Sequence, residues 1–267
     1  MTGLARPNLF DLAGRVAFVT GAASGLGYAM AEAFAEQGAI VVLADVDADG
    51  LRRATGRLTQ AGLAAQGVEL DVRDPVRIRL CIEDVVREHG RLDICCANAG
   101  ISGGPPFSQP AGRIENVDLA TWDNVLRVNQ TGVFATMQAA AAAMKPRGSG
   151  RIIVTCSISG MATGAISGYV YSASKAALIR LVHMAAVELA PHGVLVNGFA
   201  PGPFMTNIAG GRLRREPETV DFMANTVPLK RVADPSELKG LALLLASDAS
   251  SYITGAVIPI DGGATSM

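Results

Sequence analysis

Between residues 15 and 97, short apolar runs alternate with longer stretches of helical spacing, and this alternation restricts the fold more than any other feature of the chain. Residues 15–20 are apolar and end in a glycine turn. Residues 24–37 repeat their apolar side chains with helical spacing and stop at Gly38. Residues 39–45 (AIVVLAD) are apolar again, residues 47–61 are helix-like and residues 65–71 strand-like. Residues 75–89 then read as a helix with Pro75 at its start, and residues 92–97 (LDICCA) as a strand. A strand that is apolar on both faces must be covered on both faces, which points to a parallel sheet between helices.

The rest of the chain continues the pattern less regularly. Residues 101–118 are rich in Gly and Pro and predict a loop. Two helices follow, the second being the Ala-rich stretch 131–145, and then a strand over 151–156. A long helix is expected from about 169 to 190, and a strand over 194–200. Residues 201–230 read as irregular with one short helix, residues 235–247 as a helix, and 256–260 as a last strand before Asp261-Gly262-Gly263. The expected fold is α/β: a doubly wound sheet of about seven parallel strands with helices on both faces. No shift in composition divides the chain, so one domain over 1–267 is expected.

Bulk properties narrow the function. Hydrophobic residues make up 49% of the 267 and charged residues 18%, which supplies a sizeable core. The net charge of −1 offers no strongly basic face, so nucleic acid is not an expected partner. The cysteines Cys81, Cys95, Cys96 and Cys156 lack paired metal spacing and read as buried free thiols in a reducing compartment. His89, His183 and His192 are scattered, and no metal site is expected. With no leader-like segment and no apolar run of about 18 residues, a cytoplasmic protein without a membrane span is expected.

Thr20-Gly21-Ala22-Ala23-Ser24-Gly25-Leu26-Gly27 lies between the first strand and the first helix. A parallel sheet places a phosphate there, against the helix N-terminus, and glycines let the backbone approach it. The spacing is G-x-x-x-G-x-G. Asp45 closes the second strand, where a carboxylate can accept from an adenosine ribose and repel a 2′-phosphate. It could also serve only as a cap or turn residue. Ala22 and Ala23 offer no cation for such a phosphate, so NAD is favoured over NADP. Asp71, with Val72 beside it, could reach an adenine or merely cap the helix at Pro75.

Tyr171 and Lys175 are four residues apart and share one helical face. A free phenol titrates near ~10, and a neighbouring ammonium favours the phenolate, so the pair suits an acid/base. Tyr169 has no such partner, because four residues on it meets Ala173.

In these motifs the chain resembles the short-chain dehydrogenase/reductase family along nearly its whole length. The motifs are TGAASGLG at 20–27, Asn98-Ala99-Gly100, Val128-Asn129-Gln130-Thr131-Gly132, and Ser157 three residues before Gly160. Tyr171 with Lys175, the stretch 196–202 (VNGFAPG) and Asp261-Gly262-Gly263 complete the set. The resemblance implies a Rossmann-like fold and hydride transfer between a secondary alcohol, such as a sugar, polyol or hydroxy compound, and its ketone. It implies catalytic roles for Asn129, Ser157, Tyr171 and Lys175: Tyr171 as acid/base, Ser157 holding the substrate oxygen, and Asn129 holding a water of a proton relay. It implies dinucleotide contacts at Gly21, Ser24, Gly25, Leu26, Gly27, Asn98, Ala99, Gly100, Tyr171, Lys175, Pro201, Gly202 and Thr206. Ser159 is a minor rival to Ser157, and Cys156 stands where many members carry a serine.

A substrate loop is expected over about 203–230, with Phe204, Met205, Ile208, Phe222 and Met223 beside Asn207, Arg212, Arg214 and Arg215. A homotetramer is expected from the small-residue helices. Two other readings stay open: an NADPH-dependent ketoreductase of the 3-oxoacyl type, and a dinucleotide-binding regulatory protein without catalysis.

Overall fold

The apolar runs become strands, the helical stretches become helices, and the strands build one sheet. The computed structural model describes residues 8–164 and 167–267, apart from the side chains of 209 and 212. The strands are β1 (Val16–Thr20), β2 (Ile40–Asp45), β3 (Ala65–Glu69), β4 (Ile94–Ala97), β5 (Gly150–Thr155), β6 (Val194–Pro201) and β7 (Val257–Ile260). The helices are α1 (Gly25–Glu36), α2 (Ala48–Gln60), α3 (Pro75–His89), α4 (Leu119–Leu126) and α5 (Val133–Met144). They continue as α6 (Tyr169–Leu189), α7 (Arg212–Arg215), α8 (Pro217–Asn225) and α9 (Lys239–Ala246). The sheet runs β3-β2-β1-β4-β5-β6-β7, with every pair parallel, as the alternation predicts.

The strands are apolar on both faces because both faces are covered. Val16 and Phe18 pack with α3, α5 and α6, whereas Ala17 and Val19 between them pack with α1, α2 and α9. The same alternation sends Cys95 to one core and Cys96 to the other, so adjacent thiols point apart and remain free. Burial pushes the Cys95 thiol up to about 12 and Cys96 well above its usual value. Among the described residues no helix is long and apolar enough to cross a membrane.

Three local features differ from the sequence expectation. The third strand ends at Glu69, so Asp71 lies in the turn beyond it. Glu69 pairs with Asp45, the last residue of β2, and past that point β3 has no ladder to join. The two helices expected around residue 130 run end to end through a π turn over Arg127–Gly132. A Cβ on Gly132 would lie 2.7 Å from the Val72 carbonyl oxygen, so this glycine is kept for close packing. The helix expected over 235–247 begins as a 3₁₀ turn, Pro235–Leu238, held by a capping box between Asp234 and Glu237.

Strand order reverses between β1 and β4. Their crossovers leave in opposite directions, which opens a crevice beyond their C-terminal ends. The glycine loop after β1 and Asn98-Ala99-Gly100 after β4 both sit there.

Candidate active site

The glycine loop is tight because the helix it feeds is pressed against it. Gly21 and Gly25 have φ of +67° and +57°, left-handed values that side chains disfavour. A Cβ on Gly27 would lie 2.1 Å from the Gly21 carbonyl oxygen and 2.6 Å from Asn98 Nδ2. Ser24 is the N-cap of α1 but its side chain makes no capping bond, which leaves the first amides of the helix directed at the crevice. Leu26 packs into the core beneath the loop. A loop without Cβ atoms ahead of an uncapped helix fits a dinucleotide pyrophosphate.

Asp45 is tied to this loop. Its Oδ2 accepts from the Ala23 N–H at 2.9 Å and its Oδ1 from the Asp47 N–H at 3.0 Å. The carboxylate therefore does serve the turn, and those bonds also hold it at the crevice edge. The helix cap itself is Asp47, which accepts from the Gly50 N–H at 2.9 Å. Asp71 is engaged by Arg73, whose Nε donates to Asp71 Oδ2 at 2.8 Å, and this guanidinium holds the carboxyl below the usual range. Val72 is buried against Gly132.

Asn98 works as a structural pin. Its Nδ2 donates to the Thr20 carbonyl at 2.8 Å, and its Oδ1 accepts from Thr155 Oγ1 at 2.9 Å, so β1, β4 and β5 are tied at their C-terminal ends. Thr20 Oγ1 accepts from the Asn98 and Ala99 N–H groups at 3.0 and 3.1 Å. Sequence reasoning did not give Thr20 or Thr155 a role of their own. The available signal was a small hydroxyl residue at the end of an apolar strand.

Beyond β5 the chain turns at Ser157, which is 6% exposed and accepts from the Ser159 N–H at 3.2 Å. The Ser157 hydroxyl acts on the Tyr171 phenol and favours its ionised form. Lys175 lies one turn further along α6, 3% exposed, with Nζ donating to the Thr155 carbonyl at 2.8 Å and lying 5.8 Å from the Tyr171 ring centre. Burial drives the lysine down to about 8, with Cys156 opposing weakly. Tyr171 goes the other way. Burial raises its phenol and Ser157 only partly offsets this. The lowering by Lys175 expected from the spacing is thus not seen in the protein alone, where burial dominates the phenol.

Asn129 sits in the π turn and is fully buried. Its Oδ1 accepts from the Ile101 N–H at 2.8 Å, and its Nδ2 donates to the Ile101 carbonyl at 2.9 Å and to Ser174 Oγ at 3.2 Å. Ser174 Oγ in turn donates to the Tyr171 carbonyl at 2.7 Å. This link between Asn129 and the Tyr171 turn was not read from the sequence, although Ser174 stands directly before Lys175. A point where a Cβ of Gly100 would sit is 3.4 Å from Asn129 Oδ1 and 3.5 Å from Lys175 Nζ. Both groups therefore border the same exposed spot beside Gly100.

Ser159 pairs with Ser167 at 2.6 Å. Tyr169, 41% exposed, meets Phe107 of the 101–118 loop with ring centres 6.5 Å apart and ring planes tilted by 57°. Thr206 is 8% exposed, and its Cγ2 is 3.3 Å from where a Cβ on Gly25 would be, so the substrate loop begins against the glycine loop. Pro201 is buried at the end of β6 and Gly202 follows it. Arg214 Nη2 donates to the Met205 carbonyl at 3.3 Å rather than to an open site, and the Arg212 side chain lies outside the described residues.

Residues 21–265 match a family model described as enoyl-(acyl carrier protein) reductase. The chain is 38% identical over 253 residues to cis-4-hydroxycyclohexanecarboxylate dehydrogenase of Sinomonas cyclohexanicum, covering 95% of this chain and 97% of that one. A crystal structure of a short-chain type dehydrogenase/reductase from Mycobacterium marinum superposes with a TM-score of 0.89 at 38% identity, over 96% of this chain and 98% of that one. A gluconate 5-dehydrogenase from Burkholderia cenocepacia J2315, solved with NADP and tartrate, superposes at 0.87 with 32% identity, over 97% and 98% of the two chains.

Proposed function

The chain belongs to the short-chain dehydrogenase/reductase family, and we propose that it interconverts a secondary alcohol and its ketone at Tyr171, with NAD as the preferred dinucleotide. The observation that carries this reading is the set Ser157, Tyr171 and Lys175: a serine whose hydroxyl favours the phenolate of a half-buried tyrosine, with a buried lysine on the same helical face. Relatives that act on an alicyclic alcohol and on gluconate agree with this reaction class.

The dinucleotide supplies a hydride acceptor and, when oxidised, a positive charge. Gly21, Ser24, Gly25, Leu26 and Gly27 would cradle its pyrophosphate, Asp45 its ribose, and Asp71 with Val72 its adenine side. Ala99, Gly100, Pro201, Gly202 and Thr206 would flank the nicotinamide end. Asn98 would act indirectly, by pinning the strand ends. In the oxidising direction the carbinol hydrogen would pass as hydride to the dinucleotide, and Tyr171, as the phenolate that the positive charge of the oxidised dinucleotide favours, would take the hydroxyl proton. Ser157 holds the oxygen that becomes the carbonyl. Lys175 contributes a positive charge once its ammonium is retained beside bound dinucleotide. Asn129 Oδ1 accepts one hydrogen bond, from the Ile101 N–H, and so has acceptor capacity left, which suits a relay of protons to solvent.

The test is an assay for reduced nicotinamide, using cyclohexanol, cis-4-hydroxycyclohexanecarboxylate and D-gluconate with each dinucleotide. Turnover of at least one alcohol is expected, with kcat/KM for NAD at least about tenfold above NADP because the Asp45 carboxylate opposes a 2′-phosphate. A ratio at or below one favours the NADPH-linked reductase. Absence of turnover with dinucleotide binding intact favours the regulatory reading.

We also propose a homotetramer. Phe134 on α5 and Met184 and Val187 on α6 are 49%, 58% and 79% exposed, an apolar face suited to a second copy. Light scattering is expected to return about four times the 27.6 kDa chain. A monomer mass sinks this assignment.

A further inference from the structure

The turn after β7 touches both the Gly202 loop and the returning end of the 203–230 segment. We propose that Asp261-Gly262-Gly263 is a shared seat for the Gly202 loop and for the returning end of the substrate loop, and that Asp261 is a positioning residue for dinucleotide binding. This rests on the reading that Gly202 and Thr206 flank the nicotinamide.

The turn is built by one carboxylate. Asp261 Oδ1 accepts from the Gly263 N–H at 2.9 Å, and Oδ2 accepts from the Thr265 N–H at 2.8 Å and Thr265 Oγ1 at 2.7 Å. Burial pushes this carboxyl up, but the bonds from Thr265 and Gly263 outweigh it and leave its pKa below the usual value. Gly262 and Gly263 follow with φ of +62° and +90°, so the chain reverses in a conformation that side chains disfavour.

On one side of this turn lies the Gly202 loop. The Gly202 N–H donates to the Ile260 carbonyl at 3.0 Å, and a Cβ on Gly202 would lie 2.8 Å from Asp261 Cα. Four residues on, Thr206 meets Gly25. On the other side the substrate loop returns. A Cβ on Gly262 would lie 2.5 Å from Val227 Cγ1, and one on Gly263 3.1 Å from Pro228 Cγ. The Leu229 N–H donates to the Gly262 carbonyl at 3.2 Å. Lys230 follows with φ +52°, a left-handed value for a residue with a side chain. That conformation persists only where its surroundings enforce it.

The loop is also closed at its neck. The Met205 N–H donates to the Ala233 carbonyl at 2.8 Å, and the Ala233 N–H to the Pro203 carbonyl at 3.0 Å. Both ends of the segment are therefore anchored, one at the neck and one at the turn. The 3₁₀ turn Ile208–Gly211 and helices α7 and α8 lie between these anchors. A displaced turn shifts Gly202 and Val227 together, and through them Thr206 against the glycine loop.

The full-length protein tests this with two readouts: NADH affinity by fluorescence titration, and trypsin cleavage at Arg214 and Arg215 without dinucleotide. Asp261→Ala is expected to raise the NADH Kd about tenfold, the scale of one lost charge-assisted hydrogen bond. It is also expected to speed cleavage at Arg214 and Arg215 about tenfold, with cleavage elsewhere unchanged. Gly262→Ala leaves the Asp261 bonds in place and pushes on Val227, and decides the matter should Asp261→Ala misfold. It is expected to give the same faster, loop-confined cleavage. A Kd and cleavage rate within about twofold of wild type overturn the proposal, as does faster cleavage spread over the whole chain with an unchanged Kd. Wild-type protein that binds neither NADH nor NADPH overturns the functional reading instead, and the cleavage comparison still judges the turn.

Discussion

Tyr171→Phe is expected to lower kcat by about 10³-fold or more, within the range of a lost general acid/base, while the NADH Kd stays within about threefold of wild type. The two effects separate because the phenol oxygen is the only atom removed. The ring still fills its place on α6, and Ser174 still donates to the backbone carbonyl of residue 171 at 2.7 Å. The glycine loop lies on a different crossover and is untouched. Ser157 keeps the Ser159 N–H at 3.2 Å, so the turn after β5 is retained. Stopped-flow or steady-state assays with the best alcohol of the panel measure the first effect and fluorescence titration the second. A kcat within tenfold of wild type would falsify the assignment of Tyr171 as the proton-transfer group.

Lys175→Met is expected to remove turnover as well, and it also reports on burial through pH. Burial holds Lys175 down to about 8 in the folded protein, against 10.5 as its ordinary value. Below about pH 8 both folded and unfolded chains carry the proton, and the fold bears the full cost of a buried ammonium. As pH rises from 8 towards 10.5 the folded chain releases its proton first, so that cost is relieved. The stability of wild type relative to Lys175→Met should therefore rise across this window. The order of magnitude is about 3 kcal/mol, one pKa unit being worth ~1.4. Urea unfolding of both proteins at about pH 7 and about pH 10 measures the difference. A difference that stays flat shows that Lys175 is not desolvated in the fold. Methionine is the suitable replacement because it is unbranched and of similar length, so the change is mainly one of charge.

These two residues also show how far the sequence reaches. Their spacing put them on one helical face, and α6 bears that out. Spacing carried no information on depth. Burial raises the phenol rather than lowering it, and Lys175 Nζ donates to the Thr155 carbonyl of a strand 20 residues away. Asn98 and Asn129 were legible as motif positions, yet their side chains serve backbone partners 78 and 28 residues distant, at Thr20 and Ile101. Asp45 was read as a choice between ribose and turn, and its oxygens already bond Ala23 and Asp47. Asp71 was placed at a strand end that stops two residues earlier, since its ladder partner β2 is finished.

The sequence by itself determined what depends on local periodicity and covalent order. That covers the seven strands, their parallel sense, the glycine loop between β1 and α1, and the Tyr171–Lys175 face. Apolar spacing and missing Cβ atoms impose these within a dozen residues. Only the tertiary structure decided which polar groups meet. The reversal of strand order between β1 and β4 brings the ends of β1, β4 and β5 together, and the pairing of β6 with β7 sets the Asp261 turn against both Gly202 and Val227. Those contacts join residues distant in the chain, and buried donors and acceptors choose partners by proximity in space, which the spacing of one segment does not encode.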